Sequence, residues 1–166
     1  TFSVIETNGI QMRVAEAGAG PLVLLVHGWP ESWYSWRHQI RGLADSGYRV
    51  IAPDMRGYGD TSSPAAAADY RIDILVADLV GLLDALGEEK AALIGHDWGS
   101  MVVWNAALLY PERFTGVMGM SVPYGGVGAE APTAGWQKAM GDQFFYILYH
   151  NEEGGVAENE YDSDPR

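Results

Sequence analysis

Apolar positions recur along the chain in two rhythms, and the changes of rhythm mark out the elements. Residues 2–6 and 10–16 read as strands joined at Asn8-Gly9, a dipeptide that favours a two-residue hairpin turn. Residues 21–26 are continuously apolar, as expected of a strand covered on both faces. A helix follows from about Ser35 to Ser46, is stopped by Gly47, and leads into a strand over residues 48–52. Residues 53–64 form a loop rich in Gly, Asp, Ser and Thr, and the alanines at 65–68 read as a surface connection. Ile72, Leu75, Val76, Leu79, Leu82, Leu83 and Leu86 then recur at helical spacing, with Asp73, Asp78 and Asp84 between them and Gly87 closing the helix.

The next stretch organises the rest. An apolar run from Ala91 meets the tight turn Gly95-His96-Asp97-Trp98-Gly99, and a second apolar run continues to Tyr110, where Pro111 cuts it. This is a buried strand, an elbow and a helix apolar nearly all round, expected deep in the core. Residues 114–122 read as one more strand. Strands alternating with helices predict right-handed βαβ units and a mostly parallel sheet with helices on both faces. After Pro123 the texture changes, with seven glycines through Gly155 and one amphipathic helix expected at 136–150. Two regions follow: 1–122 as an α/β core, and 123–166 as the start of a helical cap.

Composition narrows the function classes. The 166 residues are 48% hydrophobic with six tryptophans, which excludes a disordered chain. The net charge of −12 argues against nucleic acid and anionic membrane as partners. Six of the acidic residues (Glu152, Glu153, Glu158, Glu160, Asp162 and Asp164) lie in a terminal run that reads as solvated surface. No apolar run approaches the roughly 18 residues of a membrane span, and nothing resembles a signal peptide, so a cytoplasmic location is expected. There is no cysteine, hence no thiolate site, and no spacing suited to a metal; no cofactor is expected.

The elbow has the spacing of a nucleophile turn with Asp97 where a serine is usual. An Asp at a helix start is also a common N-cap, so that alternative stands beside the nucleophile. The residue type specifies the carbon attacked. A serine attacking saturated carbon would form an inert ether, whereas a carboxylate forms an ester that water can cleave. Asp97 therefore points to an epoxide or a haloalkane. His27-Gly28-Trp29-Pro30 follows a buried strand directly, which makes the amides of Trp29 and Trp98 the candidate oxyanion donors, unless the loop is a simple turn.

His27-Gly28-Trp29-Pro30, the following Glu31-Ser32-Trp33-Tyr34-Ser35-Trp36-Arg37-His38-Gln39, Asp54-Met55-Arg56-Gly57-Tyr58-Gly59-Asp60-Thr61 and Gly95-His96-Asp97-Trp98-Gly99-Ser100 together resemble the α/β-hydrolase-fold epoxide hydrolases. The likeness runs from about Leu22 to Val122. It implies a cis Trp29–Pro30 bond and covalent opening of an epoxide to a vicinal diol. The cap stretch Phe144-Phe145-Tyr146-Ile147-Leu148-Tyr149 is similar to that family's cap, which makes Tyr146 the expected proton donor to the epoxide oxygen and Tyr149 its second choice and a substrate contact. Both tyrosines also suit amphipathic packing. Trp33, like Trp36 and Trp136, suits either an apolar substrate pocket or the core.

Haloalkane dehalogenases share the elbow but usually carry a polar residue where Trp29 stands. A hydrolase-like binding module without catalysis is the alternative from another class. Such a mechanism also needs a histidine and an acid after the nucleophile. His150 is the sole histidine after Asp97 and falls in the cap. The chain is therefore expected to be the N-terminal portion of a longer polypeptide, ending inside the cap, with Arg166 either a proteolysis point or a break in the ordered chain. The hydrolytic histidine, its acid and a second tyrosine would lie on a second chain, and a homodimer is left open.

Overall fold

The computed structural model describes residues 1–126, 132–152 and 154–163. Glu153 and Asp164 of the acidic run, and Arg166, lie outside the described residues. The chain divides into two compact units, Thr1–Tyr124 and Gly125–Arg166.

The first unit is built on one six-stranded sheet. Its strands are β1 (Phe2–Thr7), β2 (Ile10–Ala17), β3 (Leu22–Val26), β4 (Arg49–Pro53), β5 (Ala91–His96) and β6 (Phe114–Met120), in spatial order β1-β2-β4-β3-β5-β6. The hairpin turn falls where expected, with Asn8 and Gly9 both at positive φ (42° and 76°). The β1–β2 and β2–β4 pairings are antiparallel, and the three from β4 to β6 are parallel. The sheet is thus mixed, its antiparallel part contributed by the hairpin.

Side chains of β3 alternate between two cores, as the pleat dictates. Leu22, Leu24 and Val26 join Ile51, Val76, Leu79, Leu82, Leu83, Val102, Val103 and Ala106 on one face. Val23 and Leu25 join Val50, Ala52, Trp36 and Ile40 on the other. Helices α2 (Ile72–Leu86) and α3 (Trp98–Leu109) supply the first face. A short 3-10 turn at Trp33–Trp36, continuing into α1 (Arg37–Asp45), supplies the second. Gly87 ends α2 in the left-handed conformation, its amide returning to Asp84 and Leu83 carbonyls.

Asp78, one of the aspartates between the apolar positions of α2, is fully buried and held by Arg56 and Asn8. The helix after the elbow is not buried all round as expected: Trp98 at its start is exposed, and Leu108 and Leu109 at its end are about half exposed (50% and 53%). Strand β6 ends the sheet order with Met118 exposed.

In the second unit the single helix expected at 136–150 is instead two, α4 (Pro132–Met140) and α5 (Tyr146–His150), with α6 (Val156–Ser163) following. The break is at Gly141, whose φ of 56° takes the backbone out of the right-handed helix. Ring contacts join these short pieces: Trp136 edge-on to Phe145 at 5.8 Å, and His150 stacked on Tyr161 at 5.7 Å.

Candidate active site

Strand β5 and helix α3 meet at an angle that few residues permit. A Cβ on Gly95 would lie 2.4 Å from the Gly99 carbonyl oxygen, and one on Gly99 would lie 2.1 Å from that of Val26. Only glycine fits at both places, so the spacing that marks the elbow in the sequence follows from close packing of strand against helix. Between them Asp97 is forced to φ 53°, ψ −123°, a conformation a non-glycine residue adopts only when its surroundings hold it there. Its backbone is held at both ends: the amide donates to Met120 O at 3.1 Å, and the carbonyl accepts from Ser100 N at 2.9 Å.

Ser100 completes that hold. Its buried hydroxyl accepts from the Met120 amide (3.0 Å), lies 2.7 Å from Met120 O, to which it donates, and sits 3.0 Å from Gly95 O. The sequence signal was a small polar residue opening an otherwise apolar helix.

The Asp97 side chain makes no cap bond to the α3 amides. Oδ1 instead accepts the Trp29 amide at 3.0 Å, across 68 residues of sequence. Gly28 has to be glycine for this approach, because a Cβ there would lie 2.5 Å from the Asp97 side chain. The Trp98 amide, at the first position of α3, has no intrahelical acceptor, and among the described residues no bond joins it to Asp97. The Trp29–Pro30 bond is cis, as expected.

Two further loops lock the turn. His27, 2% exposed, contacts the Gly28 carbonyl through Nδ1 (2.7 Å) and the Met55 amide through Nε2 (2.9 Å). Burial pushes its pKa below the ordinary value, outweighing the Gly28 bond and the charges of Asp54 and Glu31. Glu31 bridges the two motifs: one oxygen accepts the Gly28 amide (3.2 Å) and the other lies 3.0 Å from His96 Nδ1. Tyr58 stands edge-on to His27 at 4.8 Å, and burial, followed by the charge of Asp97, raises its phenol pKa. None of these three was given a role from sequence. Each lies inside a motif quoted above, but only the fold brings them to one turn.

Trp33 donates its amide to Asp54 Oδ1 (2.9 Å), and its ring packs edge-on against Phe2 at 4.8 Å. The ring is half-buried and packs against the edge of the core around Trp36 and Ile40. In the second unit, Tyr146 opens α5 beside Phe145, ring centroids 5.4 Å apart. Tyr149 lines an open cavity of about 920 Å³ with Gln137, Asp142, Phe144, Phe145 and Leu148. Its hydroxyl donates to Glu160, and that bond chiefly lifts its pKa to about 12. The bond engages the proton that Tyr149 would have to donate. Among the described residues no His, Asp or Glu cluster suited to a metal ion is present, and no helix is long and apolar enough to cross a membrane.

The pattern of the alpha/beta hydrolase fold matches residues 21–152. The chain belongs to the α/β-hydrolase family. Within this family it is 51% identical to epoxide hydrolase A of Mycobacterium tuberculosis over 167 residues, 99% of this chain and 52% of that protein. It is 47% identical to epoxide hydrolase 3 of Siraitia grosvenorii over 160 residues, 96% of this chain and 50% of that one. The crystal structure of epoxide hydrolase A from Mycobacterium thermoresistibile superposes with a TM-score of 0.93 at 55% identity, covering 99% of this chain and 52% of that one. An epoxide hydrolase of Vigna radiata gives 0.91 at 44%, covering 99% and 51%. This α/β-hydrolase chain therefore spans about half the length of the curated relatives it matches.

Proposed function

We propose that this chain carries the nucleophilic half of an enzyme that hydrolyses an epoxide to a vicinal diol through an alkyl ester on Asp97. The observation that carries the reading is the Trp29 amide bonded to Oδ1 of a carboxylate held at positive φ. The bond divides the labour between the two oxygens. Oδ2 accepts no hydrogen bond among the described residues and attacks the ring carbon, forming a C–O bond as the epoxide C–O bond breaks. Oδ1 becomes the ester carbonyl oxygen, already beside the donor that stabilises it as an oxyanion when water adds.

The departing epoxide oxygen needs a proton, for which the phenol of Tyr146 is proposed. The Trp98 amide is the proposed second oxyanion donor, engaging once the ester carbon becomes tetrahedral. Trp33 and Tyr149 are proposed substrate contacts. Water attack on the ester calls for a histidine base with its acid. These are proposed to come from additional polypeptide, continuous or held as a second chain, in keeping with relatives about twice as long. An intact-mass measurement on the native protein tests that point.

The chemistry itself is tested by one turnover of the native protein in ¹⁸O water with an aryl-substituted epoxide. The expected result is unlabelled diol and label in the Asp97 peptide; label in the first-turnover diol overturns the covalent route. A chloroalkane in parallel, releasing halide in place of diol, would select the dehalogenase reading instead.

A further inference from the structure

Both ring nitrogens of His27 face backbone groups whose hydrogen-bonding sense is fixed. Met55 N–H can only donate and lies 2.9 Å from Nε2; the Gly28 carbonyl can only accept and lies 2.7 Å from Nδ1. The buried ring is therefore neutral with its proton on Nδ1. The other tautomer would set donor against donor at one end and acceptor against acceptor at the other.

The Gly28 carbonyl has a second significance. It belongs to the same planar trans peptide unit as the Trp29 amide, its oxygen pointing opposite to the N–H. His27 grips the oxygen end of this unit while Asp97 Oδ1 takes the N–H end at 3.0 Å. A hydrogen bond at one end of a peptide also polarises the other, which strengthens the donor.

We propose that His27 is a positioning residue: its Nδ1–H fixes and polarises the Gly28–Trp29 peptide unit, keeping the Trp29 amide aimed at Asp97, and protonation at Nε2 releases that aim. The functional part of this inference rests on the Trp29 amide being the oxyanion donor of the proposed reaction. A proton on Nε2 replaces an acceptor by a donor facing Met55 N–H, so the ring must leave its place. Charged and titratable groups approach His27 from every side. Asp54 stands at the end of β4 with Arg13 3.5 Å from its carboxylate, Glu31 comes from the same turn with His96 beside it, Tyr58 comes from the loop after β4, and Asp97 from the elbow. The two carboxylates that act on the ring directly, Asp54 and Glu31, favour its cation, and burial prevails against them, so release falls on the acid side of the ordinary histidine value of about 6.5.

The test is an NMR titration of the whole native protein, labelled with ¹⁵N, following the His27 ring nitrogens and the Trp29 amide together. A bare Nε2 and protonated Nδ1 are expected at neutral pH, with both signals moving at one shared midpoint below about 6.5. In His27→Gln, whose carboxamide oxygen can accept from Met55 without titrating, the Trp29 amide should lose that step and keep any step due to Asp97 or His96. His27→Asn serves the same purpose if the Gln variant does not fold. A proton on Nε2 at neutral pH, a midpoint at or above the ordinary value, or a Trp29 step unchanged in the folded variant overturns the proposal. The acid limb of ester formation on Asp97 should carry the same midpoint and lose it in the variant. Failure of the epoxide reading shows separately, as no ester at any pH while the ring and the Trp29 amide still titrate as one.

Discussion

Asp78 in α2 and Asp97 at the elbow are two carboxylates of one unit held in opposite ways. Asp78 has no exposed surface and every oxygen engaged: Oδ1 accepts from Arg56 Nη2 (2.6 Å) and Asn8 Nδ2 (2.8 Å), and Oδ2 from Arg56 Nε (2.9 Å). Its helix backbone is relaxed. Asp97 sits on backbone at φ 53°, with one oxygen bonded to an amide and the other without a partner among the described residues. A saturated carboxylate ties segments together, here α2, the loop after β4 and the hairpin turn. A carboxylate left half-satisfied on strained backbone is held ready for chemistry. Burial of an acidic residue is therefore not the mark of a site; an unused lone pair in a fixed direction is.

The sharpest way to separate the two is to neutralise each. Asp97→Asn keeps an acceptor for the Trp29 amide but removes the nucleophile, so ester formation should fall by about 10⁴-fold or more while stability shifts by no more than about 0.5 kcal/mol. Rapid-quench assays and urea denaturation read the two quantities. Asp78→Ala should do the reverse by stranding the Arg56 guanidinium in the core, at a cost of about 3–5 kcal/mol in urea unfolding. Replacing both, as Asp78→Leu with Arg56→Met, should recover most of that loss; no recovery would mean the pair is more than a tie.

A smaller effect is expected at the elbow's own tie. Ser100→Ala leaves the Met120 amide without its buried acceptor, for about 1–3 kcal/mol of stability. It should also slow ester formation, which Asp78→Ala in its folded fraction should not. The mildest test is pH. A buried histidine with a lowered folded pKa binds fewer protons than the unfolded chain, so stability rises with pH between the two values. His27 thus contributes fully above about 6.5, and its contribution is lost as pH falls toward the folded pKa. Urea midpoints at two pH values in that interval should converge in His27→Gln.

Much of this contrast was hidden in the sequence, for reasons particular residues make plain. The six strands and three core helices were legible because apolar rhythm reports which face is buried, and Asn8-Gly9, Gly47 and Gly87 mark the ends. The elbow was legible because Gly95 and Gly99 leave a fixed spacing. Asp78 was not, since an Asp between apolar helix positions looks the same whether water or an Arg56 twenty-two positions away receives it. His27 and Glu31 lay within a recognised motif, yet their roles depend on Met55 and His96, which only the sheet order brings near. The split of the second unit's helix was signalled by Gly141 and outweighed by the apolar periodicity around it. Leu108 and Leu109 show the converse limit: apolar residues announce a wish for cover, not that cover is present.

The hold of β6 on the elbow has a consequence for taking the chain apart. The Met120 carbonyl accepts from the Asp97 amide and the Ser100 hydroxyl, and its own amide donates to Ser100, so the last residue of the sixth strand helps set a turn that begins more than twenty residues earlier. Fragments reassembled from a cut between α3 and β6 would have to rebuild the nucleophile's backbone on docking. A cut after Tyr124 would deliver it already formed.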